Sequence, residues 1–132
     1  MKKLYILIAL SLLASSCQKS IEDRAEQEAR EYTEKLCPTP IQNYTRTDSL
    51  TFDRESKTFN YYTSLFDLMD DEEIIKANKQ QLHDDLLKAI VSSTQLKAYK
   101  DCGFSFRYII RSGKNPRKTH YDVKYTEKDY QK

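Results

Sequence analysis

"TRTDSLTFDRESKTFNYYTSLF", residues 45–66, switches to a spacing of two between its apolar side chains. Leu50 and Phe52 alternate with polar neighbours, and Phe59, Tyr61 and Leu65 share one side of a returning segment. Successive strand side chains point to opposite faces, so this period predicts a strand pair with one buried face. The polar run Asp53 to Ser56 supplies the turn between the strands. Tyr62 and Phe66 fall on the other side and hint at an aromatic patch away from the core.

The same pattern returns near the C-terminus. Phe104, Phe106, Tyr108 and Ile110 lie on one face, with Ser105, Arg107, Ile109 and Arg111 on the other. "SGKNPRK", residues 112–118, reads as a turn, and Tyr121, Val123 and Tyr125 alternate on the return strand. Before and between the hairpins the apolar spacing is three and four. Ile21, Ala25, Ala29, Tyr32 and Leu36 mark a first helix, begun by a capping box of Ser20 and Asp23 and stopped by Pro38 and Pro40. Asp70 or Asp71 caps a second helix running to about Ser92 or Ser93. Its core stripe is Ile75, Leu82, Leu86, Ala89 and Ile90, widened by Leu87 and Val91. Thr94 caps one further turn with Leu96 and Tyr99, and Gly103 breaks it. The expected architecture is α+β, in the order helix, hairpin, helix, hairpin. It has a four-stranded antiparallel sheet with the helices packed on one face.

The N-terminus is built differently. Lys2 and Lys3 precede an apolar run from Leu4 to Leu13 that is interrupted only by Ser11. A membrane-spanning helix needs about 20 apolar residues, so this shorter run reads as a cleaved export signal. Ala14, Ser15, Ser16 and Cys17 resemble a bacterial lipobox, in which the cysteine thiol receives diacylglycerol and becomes the first mature residue. Ala14 and Ser16 also satisfy the small-x-small rule of an ordinary secretory cut at the same bond. The expected organisation is a lipoprotein signal peptide over 1–16, a lipidated tether over 17–19 and a single domain over 20–132. Two or three acyl chains of the palmitate type make a durable anchor, since each buried methylene contributes about 0.8 kcal/mol.

With Cys17 lipidated, Cys37 and Cys102 remain as a pair in an envelope compartment where disulfides form. A bridge between them is expected, with two independent thiols as the alternative. No C-x-x-C spacing is present, which argues against thioredoxin-like exchange or a zinc knuckle.

Composition narrows the function classes. The precursor has 22 basic and 20 acidic residues, and cleavage after residue 16 removes Lys2 and Lys3, leaving 20 against 20. A neutral domain offers no case for nucleic acid as a partner. No nucleophile elbow, P-loop or dinucleotide-binding glycine pattern occurs. The two histidines, His83 and His120, read as surface residues, although His120 lies two positions from Asp122 on a strand. The acidic stretch "DLMDDEE", residues 67–73, offers Asp67, Asp70, Asp71, Glu72 and Glu73 as oxygen donors. It lacks the glycine and spacing of an EF-hand, and helix-start acidity explains it. No catalytic residue, metal ligand or cofactor is assigned.

The stretches "NYTRTDSLTFDRESKTFNYYTSL", residues 43–65, and "STQLKAYKDCGFSFRYIIRSG", residues 93–113, resemble an uncharacterised family of small exported bacterial lipoproteins. In that family a threonine- and aspartate-rich strand precedes a tyrosine-rich one. After a helix, a polar-leucine segment then leads through glycine to an aromatic strand ending in arginine. The resemblance implies export and an α+β fold, and brings no chemistry.

The expectation is therefore a protein held at a membrane of the bacterial envelope by its N-terminal lipid, periplasmic or surface-exposed. Its role would be non-catalytic binding or structure, with a protein or peptide partner. Tyr62, Arg107 and Arg111 are the candidate binding face, because tyrosine and arginine dominate interfaces. An exposed strand edge could also accept a peptide strand. The competing class is a small envelope enzyme, or an inhibitor of one, using His120 and Asp122.

Overall fold

The structure, a computed structural model, describes residues 21–131. The export signal, Cys17 and the Ser20 half of the expected capping box lie outside the described residues. Helix α1 covers 21–36 and is followed by strands β1 (Thr45–Asp53) and β2 (Thr58–Leu65). A 3-10 turn at Asp67–Met69 leads to helices α2 (Glu72–Ala77), α3 (Lys79–Ser92) and α4 (Lys97–Asp101). Strands β3 (Ser105–Ser112) and β4 (Thr119–Tyr125) then precede a last short helix, α5 (Glu127–Tyr130).

One four-stranded sheet runs β1-β2-β3-β4. The β1–β2 and β3–β4 pairs are antiparallel hairpins, as expected, but β2 and β3 pair in parallel. The sheet is therefore mixed, which corrects the antiparallel expectation. The physical reason is the connection over 66–104: its helices carry the chain from the end of β2 back to its start, and β3 then runs in the same direction. Phe59 pairs with Phe106, and Tyr61 with Tyr108.

One sheet face is covered. Phe59 is nearly enclosed, with Phe52 at 5.0 Å, Tyr99 edge-on at 4.9 Å and Phe106 parallel to it at 6.0 Å between ring centres. Ala25 and Ala29 of α1 and Ile90 of α3 close this aromatic layer. Small residues let α1 lie close against the rings. Farther along the sheet, Leu65, Ile110 and Tyr121 pack with Ile75 of α2. The covering helices depart from the expected stripes in three places. Leu36 is 57% and Val91 51% exposed, and Ala89 is also exposed. The second helix breaks at Asn78, whose side-chain amide donates to the Ile74 carbonyl at 2.8 Å, so that the side chain competes with the regular backbone ladder. At α4, the hydroxyl that accepts from the Leu96 amide belongs to Ser93 (3.3 Å), one residue before the expected cap.

The outer edge of β1 is occupied by threonines. The Thr33 hydroxyl donates to the Leu50 carbonyl at 2.7 Å and accepts from its amide at 2.9 Å. Thr39 engages Thr47 in the same way, through its amide to the carbonyl and its hydroxyl from the amide. These contacts take backbone groups that an added peptide strand would need.

The Cys37–Cys102 bridge is not formed: Cys37 carries a free thiol, whose pKa is raised by burial and by Asp48. Cys37 lies at the Thr47–Asp48 end of β1. Cys102 leads into Ser105, which pairs with Thr58, itself the partner of Asp53. The five steps along the strand from Asp48 to Asp53 span about 17 Å, far beyond the ~4–7 Å Cα separation of a disulfide.

Gly113 shows how tightly the two hairpins join. Its amide donates to the Leu65 carbonyl at 2.8 Å, and a Cβ there would lie 2.6 Å from that oxygen and 2.5 Å from the Phe66 ring. Gly113→Ala is expected to cost about 1–3 kcal/mol through overpacking. Urea unfolding of the variant should show a lowered midpoint with an unchanged slope.

Candidate functional site

The second face of the sheet carries no helix among the described residues, and its side chains form a grid set by the register. Arg46, Ser64 and Arg111 make one row across β1, β2 and β3. Ser49, Tyr62, Ile109 and Asp122 make the next, and Thr51, Asn60, Arg107 and Lys124 the third. The three residues of the predicted binding face, Tyr62, Arg107 and Arg111, thus do lie together on neighbouring strands. Ile109 sits among them and is 4% exposed, an apolar centre shielded by its polar neighbours.

The arginines are held in different ways. Arg107 makes a two-pronged pair with Asp122, at 2.8 Å from Nε and 2.6 Å from Nη2. Those hydrogen bonds lower the Asp122 carboxyl pKa. Arg46 bonds Asp48 at 2.7 Å and lies over the Phe66 ring at 4.9 Å. Asp48 also accepts from the Ser64 hydroxyl. Arg111 lies over the Tyr62 ring at 5.2 Å and makes no ion pair among the described residues. A guanidinium stacked on a ring keeps its in-plane donors available for a carboxylate.

His120 corrects the surface expectation. Tyr121 opposes Ile110 while Thr119 opposes Arg111, so His120 is the extra residue of a β-bulge. The bulge releases it from strict alternation, and its side chain is 2% exposed. Its Nε2 lies 2.7 Å from Asp70 Oδ1. The other Asp70 oxygen accepts from the Ser112 hydroxyl at 2.8 Å and from the Lys114 amide at 3.2 Å. Burial alone would raise the Asp70 carboxyl, but the hydrogen bonds from His120, Ser112 and Lys114 outweigh it and hold the pKa down to about 2.

Serine, aspartate and histidine are here in the wrong order for nucleophilic catalysis. Ser112 gives its proton to the carboxylate and makes no contact with the imidazole, which would have to act as its base. Asp122, the expected companion of His120, is instead spent on Arg107. Surface clefts of about 320 to 400 Å³ are lined by none of Asp70, Ser112 or His120. The cluster pins the second hairpin to the 3-10 turn. His83 is part-exposed beside Tyr125, at 5.1 Å between rings. Of the remaining acidic stretch, Asp71 caps α2 by accepting from the Glu73 amide at 2.9 Å, and Glu72 pairs with Lys118 at 2.6 Å and Lys76 at 3.3 Å. Among the described residues no cluster of histidine, cysteine and carboxylate side chains is suited to a metal ion.

Fold and open face together define a small α+β domain in which one sheet face carries no helix among the described residues. The chain belongs to the family described as a domain of unknown function, DUF8479, whose model matches residues 20–121. No curated protein matches it. Three solved structures share the fold. A protein of Pseudomonas aeruginosa described as secreted aligns with a TM-score of 0.71 at 13% identity, covering 86% of this chain and 96% of that one. The pilotin EpsS of the Vibrio vulnificus type 2 secretion system aligns at 0.65 and 13%, over 89% and 98% of the two chains. The pilotin AspS of the Vibrio cholerae type II secretion system gives 0.61 and 15%, over 88% and 97%. Among the described residues no helix is long and apolar enough to cross a membrane.

The depressed Asp70 carboxyl has a pH consequence. Its folded pKa lies below the ordinary 3.8, so its contribution to stability is full above about pH 4 and is lost as the pH falls towards 2. Asp70→Asn is expected to lose about 1–3 kcal/mol at pH 7. Urea midpoints measured at pH 7 and pH 2.5 should show the gap between variant and wild type narrowing in acid.

Proposed function

We propose that this chain is a lipid-anchored protein of the bacterial envelope that holds a protein partner on its open sheet face. The observation that carries the reading is Arg111, stacked on Tyr62 with no ion pair among the described residues while its neighbours Arg46 and Arg107 have theirs. An ordered guanidinium stacked on an aromatic ring suits a partner surface that presents a carboxylate. The closed edge of β1 favours this face over strand addition at that edge. Two of the fold's neighbours are pilotins of type 2 secretion systems, which makes service to an envelope assembly the functional class of this reading.

The anchor belongs to the same proposal. Residues 1–16 act as a lipoprotein signal, Cys17 takes the acyl chains, 17–19 form the tether and 20–132 the domain. Three residues lie between Cys17 and Ile21, and the four Cα–Cα steps span at most about 14 Å. The first turn of α1 is tied to the β1–β2 turn, where Arg54 pairs with Asp23 at 2.8 Å and Glu26 at 2.7 Å. That end of the sheet therefore lies nearest the bilayer, and the strands lead away from it.

Two measurements test the parts separately. With p-benzoylphenylalanine replacing Asn60 on the open face, irradiation of intact envelopes should give a discrete protein adduct that Arg111→Glu removes. Adducts arising only from a probe at Arg30 on α1, or unchanged by Arg111→Glu, would overturn the binding face. Cys17→Ala should move the protein from the membrane fraction to the soluble one, and retention at the membrane would overturn the anchor.

A further inference from the structure

The covered side of the sheet holds a cleft of about 400 Å³ between α1, the first two strands and the turn before α4. Leu50, Tyr61 and Leu96 supply apolar walls, and Tyr32 and Tyr99 add aromatic rims. Among the described residues one charged side chain, Glu28, lines the cleft, and no lysine, arginine or histidine does. Its chemistry is thus an apolar trough with aromatic rings and a single carboxylate.

The state of that carboxylate is informative. One Glu28 oxygen accepts from Arg24 Nε at 2.9 Å, and the other from the Tyr99 hydroxyl at 2.5 Å. A carboxylate offers about four acceptor sites, so capacity remains. Arg24 also lies over the Tyr99 ring, with its guanidinium carbon 5.4 Å from the ring centre. The protein's own arginine therefore already combines this carboxylate and this ring, from outside the cleft lining. Tyr61 stacks on Tyr108 at 4.8 Å, which fixes its ring while it lines the cleft. Burial raises the pKa of the Tyr61 and Tyr99 phenols, so both rings are neutral at physiological pH.

We infer that this cleft receives a lysine or arginine side chain from a polypeptide partner. The aliphatic stem lies along Leu50 and Leu96, and the cationic head sits against Tyr32, Tyr61 and Glu28. Long basic side chains bury their methylenes while keeping the charge at a polar mouth, and tyrosine faces attract cations. A neutral aliphatic side chain would fill the trough but leave the carboxylate unused. The inference is independent of the open face, because the cleft lies on the helix-covered side.

The test uses the full-length protein in detergent micelles at low salt, titrated with Nα-acetyl-lysine N-methylamide and followed by NMR. Saturable shifts are expected at Tyr32, Tyr61 and Leu96. Association should be about fivefold tighter than for the norleucine analogue, which has the same stem without the charge. Glu28→Gln should bring the two ligands to parity, while its amide can still accept from Tyr99. If that variant fails to fold, Tyr32→Leu should give the same loss of preference. Absence of saturable shifts at the cleft, equal binding of both ligands to the wild type, or an undiminished preference in the folded variant would overturn the inference.

Discussion

The parallel pairing of β2 with β3 is the constraint on which the remaining features depend. It obliges the chain to return over 66–104, and the helices of that return cover one face only. It also places Phe59 beside Phe106 and Tyr61 beside Tyr108 on the covered side, and Tyr62 beside Ile109 and Ser64 beside Arg111 on the open side. An antiparallel join would reverse the order of β3 against β2 and scatter these partners. The stacking of Arg111 on Tyr62, the aromatic core and the wall of the helix-side cleft thus share one cause.

Much of this was legible in the residues. Both hairpins, the identity of the covered face and the grouping of Tyr62 with Arg107 and Arg111 follow from a period of two, which is local. The direction of β3 was not, because alternation is the same in parallel and antiparallel pairs. The long apolar runs that usually betray a parallel strand are absent when one face is bare. Helix stripes misplaced Leu36, Ala89 and Val91, since spacing counts apolar residues without knowing where the covering neighbours end. The last helix carried one signal, Thr126 with Asp129 three residues on. Their capping box forms, and Tyr130 then reaches the Phe104 carbonyl through its hydroxyl at 2.7 Å.

Asp70 and His120 illustrate a different limit. Each had an adequate local explanation, one as an acid at a helix start and the other as a strand polar residue. Their pairing spans 50 positions and depends on a bulge that inserts His120 between the residues opposing Ile110 and Arg111. Neither a distant partner nor a one-residue insertion leaves a periodic trace. What the cluster does chemically follows from its centre: the carboxylate is the acceptor for every donor around it, so its anionic form is stabilised, its proton affinity is lowered and the serine is left unactivated. Such a site resists acid and holds backbone segments together.

The two sides of the sheet therefore offer a partner opposite chemistry. On the open side the group without an ion pair among the described residues is a cation, Arg111, beside the shielded Ile109. On the helix side the charged group is an anion, Glu28, shared with Arg24 and the Tyr99 hydroxyl, at the end of an apolar trough. Exposed charge pairs contribute little to affinity, whereas complementary charges set orientation and exclude wrong partners. With a formal net charge of only +2 over the full sequence, long-range attraction contributes little to that sorting. Discrimination must come from short-range contacts at fixed positions, and the register of the four strands is what fixes them.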